Sequence, residues 1–97
     1  MSVNIQMIEV EGKRALGIKV ELEPAPFIMI RGDNGVLSCG FINIEAAERI
    51  GVAAAMVSGV KTFEDVLKAS VKAVTTQARR RGVEKDMSGR EALLRLL

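Results

Sequence analysis

The residue pattern of this chain predicts an α+β domain: a mostly antiparallel sheet of about five strands, an N-terminal hairpin plus three central strands, with one long and two short helices packed on it. Three stretches carry that prediction. Arg14 to Glu23 alternates apolar and polar side chains at the two-residue period of a strand. Gly32-Asp33-Asn34-Gly35 marks a tight turn between two apolar runs. Ala53 to Val57, closed by Ser58 and Gly59, reads as a buried strand that feeds a helix capped at Thr62. In 97 residues these elements make a single domain over 1–97, with 3–23 as the hairpin and 27–97 as the α/β core.

Along the chain, Val3, Ile5 and Met7 share one side of the first strand while Ile8 and Val10 share the other, which implies a bulge or a strand covered on both faces. Gly12 with Lys13 supplies the turn. In the second strand Leu16, Ile18, Val20 and Leu22 face one way, and Lys13, Ala15, Gly17, Lys19 and Glu21 the other. Pro24 and Pro26 break the ladder, because neither can donate to it. Phe27 to Ile30 is apolar throughout and predicts an interior strand; Val36 to Ile42 is its partner across the Asn34-Gly35 turn. Arg31-Gly32-Asp33 spells an adhesion tripeptide but belongs to that hairpin.

Ile44 to Ile50 predicts a short helix ended by Gly51. The link from Ile42 to Ala53 is about the shortest that a parallel crossover permits, so strands 36–42 and 53–60 are candidates for parallel pairing. A long helix is expected from about Phe63 to Arg81, stopped by Gly82, with Phe63, Val66, Leu67, Ser70, Val71, Val74 and Ala78 as its buried stripe and Glu64–Lys68 as an outward pair. A last helix opens at Ser88, with Glu91 at capping-box spacing, and runs through Leu97.

Composition narrows the chemistry. The chain has no histidine, so by itself it cannot build a Ser-His-Asp or Cys-His centre or a histidine-ligated zinc site. A single cysteine, Cys39, gives neither an internal disulfide nor a thiolate metal cluster. Nothing in the pattern calls for a metal or a cofactor. No apolar run approaches the ~18 residues of a membrane-spanning helix, and no export signal opens the sequence, so the expected location is the cytoplasm. Net charge is +2, a weak pull on polyanions. Arg79, Arg80 and Arg81 complement a helix C-terminus, and the three aromatics, Phe27, Phe41 and Phe63, fall on apolar faces, which argues against nucleic-acid binding.

Three separated blocks carry a resemblance. Ser38-Cys39-Gly40-Phe41-Ile42-Asn43, Ser58-Gly59-Val60-Lys61-Thr62-Phe63-Glu64-Asp65 with Leu67, and Met87-Ser88-Gly89-Arg90-Glu91-Ala92-Leu93 together resemble the YunC-like family, domain of unknown function 1805. At Asp86 this chain departs from the glycine that the family pattern would have. The resemblance implies an α+β domain of small bacterial and archaeal proteins with an N-terminal β region that mediates tetramerisation. It implies no activity and no catalytic residues. A first hairpin with apolar residues on both faces, in so small a chain, independently asks for cover from a neighbouring copy.

Two candidate sites follow from the residues. Cys39, between Ser38 and Gly40, reads as a small buried hydrophobe; its sharper reading is a nucleophile, with Gly40 admitting substrate and Lys61 favouring the thiolate. The corner at Lys61 and Thr62 offers helix amides and a cation to a small anion, with Asn43 at the same sheet edge if the two strands are parallel. Glu64 and Asp65 oppose an anion there. The sequence therefore predicts a self-assembling cytoplasmic protein that binds a small anionic ligand near Asn43, Lys61 and Thr62, with a Cys39-dependent enzyme as the alternative.

Overall fold

A computed structural model describes residues 2–97. Across them the chain forms six strands and four helices: β1 (Val3–Val10), β2 (Lys13–Val20), β3 (Phe27–Gly32), β4 (Gly35–Ser38), α1 (Ile44–Ile50), β5 (Ala54–Met56), α2 (Phe63–Lys68), β6 (Ala73–Val74), α3 (Thr76–Arg80) and α4 (Gly89–Leu96). The strands lie side by side in chain order, β1 to β6. Every pairing is antiparallel except β4 with β5, which is parallel with Val36 opposite Ala54 and Ser38 opposite Met56. The short α1 crossover is what allows that pairing. Asn43 caps its start, and Gly51, at φ +82, ends it in the left-handed conformation that glycine adopts at least cost.

The first hairpin has no bulge: pairing runs unbroken from Val3–Val20 to Val10–Lys13. Its turn is Glu11-Gly12 rather than Gly12-Lys13, with φ +50 and +78, the positive values that a type I′ loop demands of both residues. The expected positive-φ loop at Asn34 is absent. There the Asn34 amides donate instead to the end of α4, from backbone N to Leu96 O at 2.8 Å and from Nδ2 to Leu97 O at 2.6 Å. Gly32 makes this possible, since a Cβ at that position would collide with the Leu96 carbonyl.

The expected long helix from Phe63 to Arg81 is broken. It stops at Lys68, the chain extends through β6 against β5, and α3 starts afresh at the Thr75 cap. Val71, Val74, Thr75 and Thr76 are β-branched and favour extended backbone, while Thr75 has a better use than a helix interior. Its hydroxyl donates to Val52 O at 2.7 Å and accepts from Ala54 N at 3.0 Å, tying β5 to the start of α3. The predicted stripe is still largely inward-facing, with Val66, Val71 and Ala78 wholly buried, because a strand and two short helices happen to turn the same residues toward the core. Observed β4 ends at Ser38 and β5 spans only Ala54–Met56, both shorter than the sequence suggests.

One face of the sheet carries the core. Ile8, Val10, Ala15, Ile28, Ile30, Leu37 and Ala55 meet Val66, Leu93 and Leu96 from α2 and α4. Gly17 lies on this side so that the Phe63 ring can seat against the strand; a Cβ there would come within 2.8 Å of the ring. Gly89 similarly lets α4 press on the Val66 carbonyl.

The opposite face is different. Val3, Ile5 and Met7 of β1 stand opposite Val20, Ile18 and Leu16 of β2, and β3 continues the rows with Phe27 and Met29. Charge appears at one end, where Glu9 stands opposite Arg14 and Arg31 opposite Leu16. Full burial on this face is reached only at β4 and β5, by Ser38 and Ala54. Val3, Ile5 and Met7 are 55%, 65% and 59% exposed. Across β1 to β3 the sheet thus has helices on one side only. Among the described residues no helix is long and apolar enough to cross a membrane.

Candidate functional site

Parallel strands release the chain at the same edge, and in open sheets the loops leaving that edge form ligand crevices. Here β4 leads into Cys39-Gly40-Phe41 and β5 into Val57-Ser58-Gly59-Val60-Lys61. The two loops, with Ala25 and Pro26 ahead of β3, enclose a cleft of about 290 Å³. That is room for a small metabolite. The walls are mostly apolar, and the polar side chains are the Cys39 thiol, the Ser58 hydroxyl and the Lys61 amine. Gly59 needs its lack of Cβ for the turn itself, at φ +71. At Gly40 the space beside the backbone is open, with no heavy atom within 4 Å of where a Cβ would stand.

Cys39 lies one residue past β4 and still follows the ladder, its N–H donating to Ile28 O at 3.0 Å. The sulfur accepts from Ile28 N at 3.4 Å, and the residue is 4% exposed. Lys61 is exposed and, among the described residues, forms no ion pair. It is the one cation among the lining residues, which include no carboxylate.

The other two predicted residues are engaged as caps. Asn43 Oδ1 accepts from Ala46 N at 3.0 Å, and Thr62 Oγ1 accepts from Asp65 N at 3.0 Å. Asp65 Oδ2 in turn accepts from Lys61 N at 3.1 Å. That N–H, reinforced by the Thr62 hydroxyl and amide and by the Lys68 cation, outweighs partial desolvation and holds the Asp65 carboxyl below its ordinary value of 3.8. A carboxylate of the chain itself thus occupies the helix corner. On the outer side Glu64 pairs with Lys68 at 2.8 Å, which raises the Lys68 amine.

The structure therefore brings Cys39 and Lys61 together and leaves Asn43 and Thr62 outside the cleft. Phe41, Pro26 and Ser58 are walls that the sequence reading passed over. Their signal was the pair of glycines, Gly40 and Gly59, one shortly after each parallel strand. Behind the cleft wall, Ser38 turns to the opposite face, where its fully buried hydroxyl finds no hydrogen-bond partner. No three acidic or thiol side chains converge among the described residues. The arginines are partly engaged: Arg95 Nε donates to Gly82 O at 2.8 Å and Arg90 approaches Glu11 at 3.8 Å.

Comparison with known proteins agrees with the fold. The chain is 32% identical over 99 residues to the uncharacterized protein YunC of Bacillus subtilis (strain 168), covering 98% of both. Its fold matches the crystal structure of TA1206, a protein of unknown function from Thermoplasma acidophilum, with a TM-score of 0.94 and 32% identity over 99% of this chain and 94% of that one. The sequence pattern of the domain of unknown function DUF1805 matches residues 38–96, a span that begins just before the cleft and ends with α4. With both the pattern and a near full-length relative in agreement, the chain belongs to the DUF1805 family.

Proposed function

We propose that the protein is a cytoplasmic self-assembling domain, built as a tetramer through its N-terminal β region, that holds a small organic anion in the cleft off β4 and β5. One observation carries the assembly: the uncovered face of β1 to β3, apolar at eight positions in register and charged only at one end. Exposed apolar surface of that extent costs free energy in water, and a second uncharged face can cover it without desolvating an ion. Lys61 and the apolar walls support the ligand class, an apolar body with one negative charge.

Native mass and light scattering test the first part. The parent protein is expected as an oligomer, and Ile5→Lys as a folded monomer; a monomeric parent removes the proposal. Phenyl phosphate is the probe for the second part, with a thermal shift in the parent that Lys61→Ala abolishes. An equal shift in both proteins would end the anion site.

The competing reading, an enzyme using Cys39 as nucleophile, is favoured by the shared cleft of thiol and amine. It requires that iodoacetamide modify Cys39 in the native protein. Modification confined to the unfolded chain would exclude it.

A further inference from the structure

We infer that the cleft is completed by a second copy of the chain, whose face closes over the mouth at Phe41, so that assembly and access to Lys61 are coupled. The inference rests on the proposed self-assembly and adds to it the position of the interface relative to the site.

Two observations lead there. The first is a bridge of aromatic rings. Phe27 ends the apolar rows of the bare face, opposite Val20. Its ring lies 6.1 Å from that of Phe41, tilted by 46°, and Phe41 is a lining residue of the cleft while 59% exposed. The uncovered apolar surface thus runs without interruption from Ile5 to the lip of the cleft. A phenylalanine at a ligand site is ordinarily covered; this one is mostly wet, although it touches both surfaces.

The second is area. Three strands ~4.8 Å apart and about seven residues long at ~3.4 Å each present roughly 350 Å² in plan. A stable specific interface takes about 800 Å² from each partner. Side-chain relief increases the plan figure, but the hairpin face alone is small for a lasting contact. The apolar continuation through Phe27 and Phe41 is where the interface gains the rest. A copy seated on both surfaces necessarily roofs the cleft. Stacking two such faces meets no like-charge barrier in the middle, because the charged residues Glu9, Arg14 and Arg31 lie at one end of the rows.

The test reads Lys61, the exposed amine that lines the cleft, by acetylation with sulfosuccinimidyl acetate resolved by peptide mass, alongside the native mass of each protein. In the assembled parent, labelling is expected to be slow. In Ile5→Lys, altered on β1 and not among the lining residues, it is expected to rise about tenfold or more as the roof is lost. Phe41→Ser, outside the hairpin, is expected to move the dissociation midpoint to about tenfold higher concentration. An assembled parent whose Ile5→Lys monomer labels at the parental rate would overturn the shared cleft and leave self-assembly standing. So would a Phe41→Ser protein that assembles like the parent, a readout that holds even if Ile5→Lys fails to fold. A monomeric parent would remove both readings at once.

Discussion

Asp86 offers a sharp check on the backbone. It lies at φ +75, the third residue of a turn closed by Met87 N to Glu84 O at 3.4 Å. A positive φ at that place is the mark of a type II turn, which calls for glycine. Left-handed backbone costs an ordinary L-residue about 1–2 kcal/mol, and aspartate is among the residues that tolerate it best. Glycine removes the strain, while its freer unfolded chain takes back about 0.5–1 kcal/mol. Asp86→Gly is therefore expected to gain about 0.5 kcal/mol and Asp86→Ala to lose about as much, a separation of ~1 kcal/mol. The side chain is exposed, and the Asp86 N–H bond to Val71 O, 2.9 Å, is backbone and survives both changes. For a domain of this size ~1 kcal/mol moves the melting temperature by about 4–8 °C. Urea unfolding followed by circular dichroism measures it, at fixed protein concentration because association shifts the transition. Alanine has the advantage over glycine wherever φ is negative. An alanine variant as stable as the glycine variant would therefore refute the strained turn.

Two further outcomes follow from single groups. Ser38→Ala deletes a buried hydroxyl with no partner, so it is expected to be neutral or to stabilise by up to about 1 kcal/mol in urea unfolding; a clear loss would reveal a bond that the geometry lacks. Asp65 has its folded-state pKa lowered below 3.8, chiefly by the Lys61 N–H, so its ionised form stabilises the fold above the unfolded value, and that contribution disappears as pH falls through the folded one. Asp65→Asn is accordingly expected to lower the urea midpoint at neutral pH and to converge with the parent in acid, once the folded-state carboxyl is protonated; a gap that persists there would contradict the assignment.

Local signals in the sequence were reliable where one residue type has one use. Thr62 and Ser88 cap helices as their spacing indicated, and Gly51 ends α1, whereas Asn43, read as an anion-site residue, serves as the α1 cap. The connection between β4 and β5 is just long enough for parallel pairing and left it open in the sequence; the strands do pair parallel. The failures came from periodicity. Residues 63–78 place apolar side chains at helical intervals, yet β-branching and the double hydrogen bond of Thr75 outweigh that pattern. In β2 the richer apolar side, Leu16, Ile18 and Val20, faces away from the helices, and the core side holds Ala15 and Gly17, because Phe63 needs the space. Pattern alone cannot say which of two apolar faces meets the helices. The cleft was half legible: Cys39 and Lys61 stood out as chemistry, whereas Phe41 and Pro26 become walls only once the strand ends are fixed in space.

The join between α4 and the β3–β4 turn has a consequence for how the molecule is made. Asn34 is held by carbonyls at the far end of the chain, and Leu93 and Leu96 fill space over β3 and β4. During synthesis the first four strands emerge long before those leucines exist. Until they arrive, Ile28, Ile30 and Leu37 lack their lid, and the nascent sheet is greasy on both sides. Emergence of α4, rather than the appearance of the hairpin, is then the moment at which this fold can close.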